Sequence, residues 1–73
     1  MSELQVRAFT AGVVAIVQKR EGDPVQANEA VVIIECMKVQ IPIPSPRSGQ
    51  VVRIHVKVDD MIEEDQVVFT VAG

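Results

Sequence analysis

One cysteine, Cys36, and one histidine, His55, set the first limits on what this chain can be. A lone cysteine forms no internal disulfide, and without a Cys/His cluster there are no ligands for a structural zinc ion. Those two devices commonly stabilise very small domains, so a chain of 73 residues has to rely on apolar packing. Tryptophan and tyrosine are absent and Phe9 and Phe69 are the only aromatics, so aliphatic residues dominate the 48% hydrophobic content. Val and Ile rich in this way, with almost no aromatics, favour strands packed through aliphatic layers. Positive charge is scarce: 7 Lys and Arg against 10 Asp and Glu give a net charge of −3, with no basic patch interleaved with aromatics. That balance disfavours a nucleic-acid partner. Residues 1–10 alternate polar and apolar instead of forming the apolar block of a signal peptide, and nothing approaches the length of a membrane span. The expectation is one domain over 1–73, monomeric and cytoplasmic, with no membrane association.

What is present reads as short strands. Leu4, Val6 and Ala8 share one parity within residues 3–9, and Gln5 and Arg7 the other, the period of a half-buried strand. Thr10-Ala11-Gly12 is expected to turn the chain into a second strand over Val13–Lys19. Gly22, Asp23 and Pro24 supply the next turn. Residues 30–35 are apolar on both parities, as in a strand covered on both sides. Beyond Lys38, Val39, Ile41 and Ile43 face one way. Pro42, Pro44 and Pro46 share the other parity and strip the amide donors from one side, which marks an edge strand. Ser48-Gly49 reads as a turn, Val52, Ile54, Val56 and Val58 as an inward face, and residues 59–65 as an acidic turn. Val67, Phe69 and Val71 complete the expected inward set.

An offset of 37 residues lays the chain onto itself. Gly12 meets Gly49, Val14 meets Val51, Asp23 meets Asp60 and Val31 meets Val68. Val17, Val25, Val32 and Ile34 meet Ile54, Ile62, Phe69 and Val71. Asn28 meets Asp65, both residue types that tolerate a left-handed backbone. The repeat predicts two strand–turn–strand copies that interlock around one shared core. Lys38 falls in the link after the first copy, within Glu35-Cys36-Met37-Lys38-Val39.

Taken together, Gly12, Gly22-Asp23, Glu35-Cys36-Met37-Lys38-Val39, Gly49 and Asp59-Asp60 resemble the biotinyl/lipoyl attachment domain family, over about residues 11–72. The resemblance implies an all-β fold, a flattened β-barrel or sandwich (a barrel-sandwich hybrid) of two four-stranded antiparallel sheets with a pseudo-twofold repeat. It implies that Lys38 stands on an exposed hairpin and carries the covalent cofactor, with Glu35, Cys36, Met37 and Val39 as its ligase-recognition context. There are departures. Asp59 stands for a glycine of the second Gly-Asp, Asn28 and Asp65 replace later glycines, and Lys19 takes a core position that Val56 fills in the other copy. Met before the lysine resembles biotinyl domains. Val39, with Pro44-Ser45-Pro46, resembles lipoyl domains. Weighting Met37 most, the resemblance implies biotin, with lipoate as the alternative cofactor.

A free lysine titrates near about 10.4, so roughly one amine in a thousand is neutral at pH 7 and acylation calls for an activating enzyme. The implied partners are a biotin protein ligase that uses biotinyl-adenylate and, after loading, biotin carboxylase and carboxyltransferase subunits. The chain is then a non-catalytic carboxyl carrier of an acyl-CoA-type carboxylase, contributing reach and effective concentration. A lipoyl carrier of a 2-oxoacid dehydrogenase-like system and an unmodified structural domain of the same fold are the other readings. An enzyme using Cys36 and Lys38 would lack a base, an oxyanion site and a pocket. Most turn lysines are merely solvated, and the flanking motif is what lifts Lys38 above that reading. Cys36 reads as a small packing residue, His55 as an outward surface residue beside Arg53 and Lys57, and residues 59–65 as a solvated acidic turn without the spacing of a calcium loop. No metal site is expected.

Overall fold

Alternating β-branched residues, with a breaker every few positions, give short strands and nothing else in the computed structural model, which describes residues 2–73. Among the described residues there is no helix, and the strands are β1 (Glu3–Arg7), β2 (Gly12–Val17), β3 (Pro24–Val25), β4 (Ala30–Cys36), β5 (Val39–Pro44), β6 (Gly49–Ile54), β7 (Met61–Ile62) and β8 (Val67–Ala72). They form two four-stranded sheets, in the orders β1-β8-β6-β3 and β5-β4-β2-β7, with every neighbouring pair antiparallel. This is the flattened sandwich that the repeat implies.

The repeat is a property of the hydrogen bonds as well as of the residues. Moving by 37 residues carries β1, β2, β3 and β4 onto β5, β6, β7 and β8, and so carries one sheet's order onto the other's. Leu4 faces Val71 as Ile41 faces Ile34, and Val6 faces Phe69 as Ile43 faces Val32. Outside the ladders the correspondence continues: Ala8 N donates to Gln66 O and Ser45 N to Glu29 O, both at 2.9 Å. Gln18 N donates to Val31 O as His55 N does to Val68 O. Side chains repeat too, since Asp23 accepts from Arg20 N at 2.9 Å and Asp60 from Lys57 N at 3.0 Å.

Each half carries one bulge, and the bulges correct part of the expected core. Register shifts between Val14 and Ile16 in β2 against β4, and between Val51 and Arg53 in β6 against β8. An extra residue in one strand reverses the side-chain parity beyond it. Val51 therefore points inward and is fully buried, Val52 is only half-buried, and Ile54 and Val56 return to the core as expected. Val58, expected inward, lies past the end of β6 and is 51% exposed. A second irregularity leaves Val31 and Val68 without cross-strand partners, and both are fully buried, where only Val67, Phe69 and Val71 were expected at the end of the chain.

Two other expectations shift. Val25 and Ile62 sit in two-residue strands, too short to show any period, the first directly after and the second inside a segment read as a turn. Gly12 and Gly49 open β2 and β6 instead of turning the chain. A Cβ on Gly12 would meet Glu35 O at 2.8 Å, and one on Gly49 would run into Ala72 O, so both glycines permit close approach of backbones. Lys19, in the place of buried Val56, keeps its charge at the rim through a 2.9 Å salt bridge to Glu29.

The core runs between the sheets through Val14, Val32, Ile34, Ile43, Val51, Phe69 and Val71. Each fully buried aliphatic side chain is worth about 1.5–3 kcal/mol of transfer free energy, the main source of stability for a chain with a single cysteine. Ser45, the fully buried twin of Ala8, is satisfied by donating from its hydroxyl to Arg47 O at 2.6 Å.

Candidate functional site

β4 and β5 are joined by two residues, Met37 and Lys38, after the facing pairs Ile34–Ile41, Glu35–Gln40 and Cys36–Val39. Such a short link between right-twisted strands favours a primed turn, and the type I′ form has positive φ at both central residues. Met37 has φ 53° and Lys38 φ 67°. Neither is glycine or asparagine, so each pays about 1–2 kcal/mol of left-handed strain, which the flanking pairs have to offset. The hairpin therefore holds a lysine at its apex although its local conformational preference opposes it.

Four of the five sequence-predicted residues are exposed. Met37 is 92% exposed and Val39 60%, while Glu35 and Lys38 are also exposed. Cys36 is half-buried with a free thiol, on the parity of Ile34 that faces the core, consistent with a small packing residue. Among the described residues the one salt bridge is Lys19–Glu29, so the Lys38 ammonium has no carboxylate partner. His55 is exposed on the other sheet, with Nε2 3.0 Å from Thr70 Oγ1. The acidic segment is split by β7, and no three His, Cys, Asp or Glu side chains converge among the described residues.

The prolines act as their parity predicts. β5 is an edge strand, and its paired side is the one that keeps the donors of Ile41 and Ile43. Pro42 and Pro44 leave the Gln40 amide as the one β5 donor on the open side, so the hairpin's own edge offers a poor template for a further strand.

Sequence reasoning missed a groove beside the hairpin, of about 550 Å³, lined by Gly12, Val13, Met61, Ile62 and Glu63 among others. Val13 faces Glu35 on one side and Met61 on the other, so the groove adjoins the base of the hairpin. Its signal in the sequence was weak, because Met61 lies in the acidic stretch and reaches Val13 only through the sheet.

Residues 4–71 match the family model described as biotin-requiring enzyme (Biotin_lipoyl). The chain is 34% identical over 57 residues to the biotin/lipoyl attachment protein of Bacillus subtilis, covering 78% of each. It is 38% identical over 56 residues to the dihydrolipoyllysine-residue acetyltransferase component of the pyruvate dehydrogenase complex of Mycoplasma genitalium, covering 77% of this chain but only 15% of that protein. In three dimensions it resembles part of the urea carboxylase of Kluyveromyces lactis, with a TM-score of 0.92 at 28% identity over 99% of this chain and 6% of the carboxylase.

Proposed function

The chain belongs to the biotin/lipoyl attachment family, and from that premise we propose that Lys38 carries covalent biotin for a biotin-dependent carboxylase. The attachment domains of the family are carriers and not themselves catalysts. One observation carries the assignment of the residue: an exposed lysine without an ionic partner among the described residues stands at the tip of a two-residue hairpin, between Met37 and Val39. That geometry suits a tethered group. The amine is open to an enzyme from outside, and both backbone positions under it are fixed by the paired strands.

The chain's contributions are physical. β4 and β5 hold the point of attachment, and acylation at Nζ removes the lysine's charge and lengthens its arm. Bound there, biotin would supply the atom that accepts a carboxyl group in one active site and releases it in another. Tethering makes that second encounter depend on effective concentration instead of free diffusion. Met37 before the lysine and the likeness to part of a carboxylase support biotin. Biotin carboxylase and carboxyltransferase subunits on other chains then complete the reaction, after a biotin protein ligase has loaded Lys38.

Specific observations also favour a lipoyl carrier, the second reading. Val39 follows the lysine, Pro44-Ser45-Pro46 closes β5, and one relative is an acetyltransferase component named for its dihydrolipoyllysine. Intact mass of the protein after incubation with ligase, ATP and biotin, with streptavidin detection, separates the two. A biotin-sized increment is expected, and Lys38→Arg is expected to keep the fold and lose labelling entirely. A lipoyl-sized increment on protein from its own cells would replace biotin with lipoate, and labelling that survived Lys38→Arg would move the site.

A further inference from the structure

The two sheets share one frame, yet their outer faces differ in chemistry. On the sheet that bears the hairpin, Val13, Ile16, Ile33 and Met61 lie on the outer side. Val13 and Ile16 are each 39% exposed, and Met61 is 81% exposed. Their counterparts 37 residues away are Gln50, Arg53, Thr70 and Pro24. Since the backbone frame is common to both, folding does not require this face to be apolar. The opposite sheet makes the same ladder with Gln and Arg outside.

The rim of the apolar face is acidic. Glu35 lies in the same cross-strand row as Val13 and Met61, and Glu63 lines the groove beside them. A second copy seated here would set carboxylates against carboxylates, whereas a partner with an apolar centre and Lys or Arg around it would be complementary. Position narrows the choice. The Glu35 row is three residues from Lys38, or about 10 Å at the rise of a strand, and the Ile16–Ile33 row about 17 Å. A standard interface of about 800 Å² per partner is a disc about 16 Å in radius, so one centred on Lys38 would cover the Val13–Glu35–Met61 row and end at about the Ile16–Ile33 row. An enzyme acting on a loaded arm can reach the arm's end from a distance. The enzyme that loads the arm has to bring its activated acyl group to about 3–3.5 Å from an unextended amine, which forces its surface onto the hairpin and its surroundings.

We propose that the outer face formed by Val13, Ile16, Ile33 and Met61, with its rim of Glu35 and Glu63, is the docking surface for the ligase that loads Lys38. This rests on Lys38 being the attachment site. The test is the steady-state kinetics of labelling by biotin protein ligase, and by lipoate ligase in parallel, with the carrier as the varied substrate. Ile16→Arg copies the residue that the twin position already tolerates, and it is expected to raise KM by ~10-fold with little change in kcat. Glu63→Lys is expected to raise KM by a smaller factor and to flatten its dependence on salt. Gln5→Arg, on the polar outer face, is expected to leave KM unchanged. Thermal melts establish that each variant is folded. Should Ile16→Arg fail that check, Val13→Gln, which copies Gln50, replaces it with the same expected direction. Wild-type protein labelled at the same KM as the folded variant would overturn the docking face and leave Lys38 in place. An equal rise in KM for Gln5→Arg would overturn it as a mere effect of charge. Wild-type protein that neither ligase labels would overturn the attachment site and this proposal together.

Discussion

Gly22 and Asp59 occupy equivalent turns of the two halves, at φ 97° and 77°. Gly22 N donates to Val51 O at 2.6 Å, and Asp59 N to Val14 O at 2.9 Å, the same bond made twice. Asn28 and Asp65 likewise repeat a left-handed backbone, at 71° and 72°. At the edges the halves diverge. β5 has lost two of its three outer donors to Pro42 and Pro44, while β1, in the corresponding place, carries Gln5 and Arg7 with their amides intact. The difference teaches where this fold is demanding. Turn conformation, bulge position and the buried positions recur in both halves, while edges and outer faces vary.

Core volume breaks the comparison most strongly. Phe69 and its twin Val32 are both fully buried, but only one fills an aromatic's space. Phe69→Ala is expected to lose about 3–5 kcal/mol, much of the stability of so small a domain. Val32→Ala is expected to lose less, about 1.5–3 kcal/mol. Urea midpoints would show it, and equal losses would mean that the two halves contribute the same packing after all. Exchanging the turn residues sharpens the comparison at a smaller scale. A Cβ at Gly22 meets nothing within 4 Å, so only its backbone angle resists substitution. Gly22→Asp is expected to destabilise by about 0.5–1 kcal/mol, and Asp59→Gly to stabilise by no more than that. Melting temperatures that moved the opposite way would show that the side chain of Asp59 contributes more than its φ costs.

The smallest effect concerns Glu29 and its twin Gln66, which accept the amides of Gln26 and Glu63 at 3.0 and 2.9 Å. The Gln26 amide first, and then Lys19, hold the Glu29 carboxyl below its ordinary value of 4.5. A carboxyl so depressed stabilises the fold at pH above its ordinary value, and that contribution is lost as pH falls through the lowered one. Glu29→Gln, which copies the twin, is expected to lose part of the fall in melting temperature seen on acidification below 4.5. An unchanged acid profile would show that other carboxylates dominate it.

The hairpin was legible in the sequence because everything that defines it is local: Met37 and Lys38 between paired strands, and three prolines of one parity behind them. The twofold frame was legible because turn residues and glycines recur at a fixed offset. Parity was misread at Val51, since a bulge announces itself only when two strands are aligned, and Val58 was misread because β6 ends before it. β3 and β7 were missed as strands because two residues have no period, although Val25 and Ile62 already matched within the repeat. The apolar outer face was hidden for a related reason. Met61 and Ile16 belong to different halves, and only the strand order brings them to one surface.

That strand order has a kinetic consequence. β3 pairs only with β6 and β7 only with β2, so each half gives its shortest strand to the other's sheet. β1 and β8 join Glu3 to Ala72 across nearly the whole sequence. A chain wired in this way has few local contacts from which to start, and its folding is expected to be slow beside that of a helical domain of equal length. Neither half makes a complete sheet by itself, so synthesis has to pass β7 and β8 before the hairpin rests on a finished support. The loading enzyme would then meet a rigid lysine only on a molecule that has already closed.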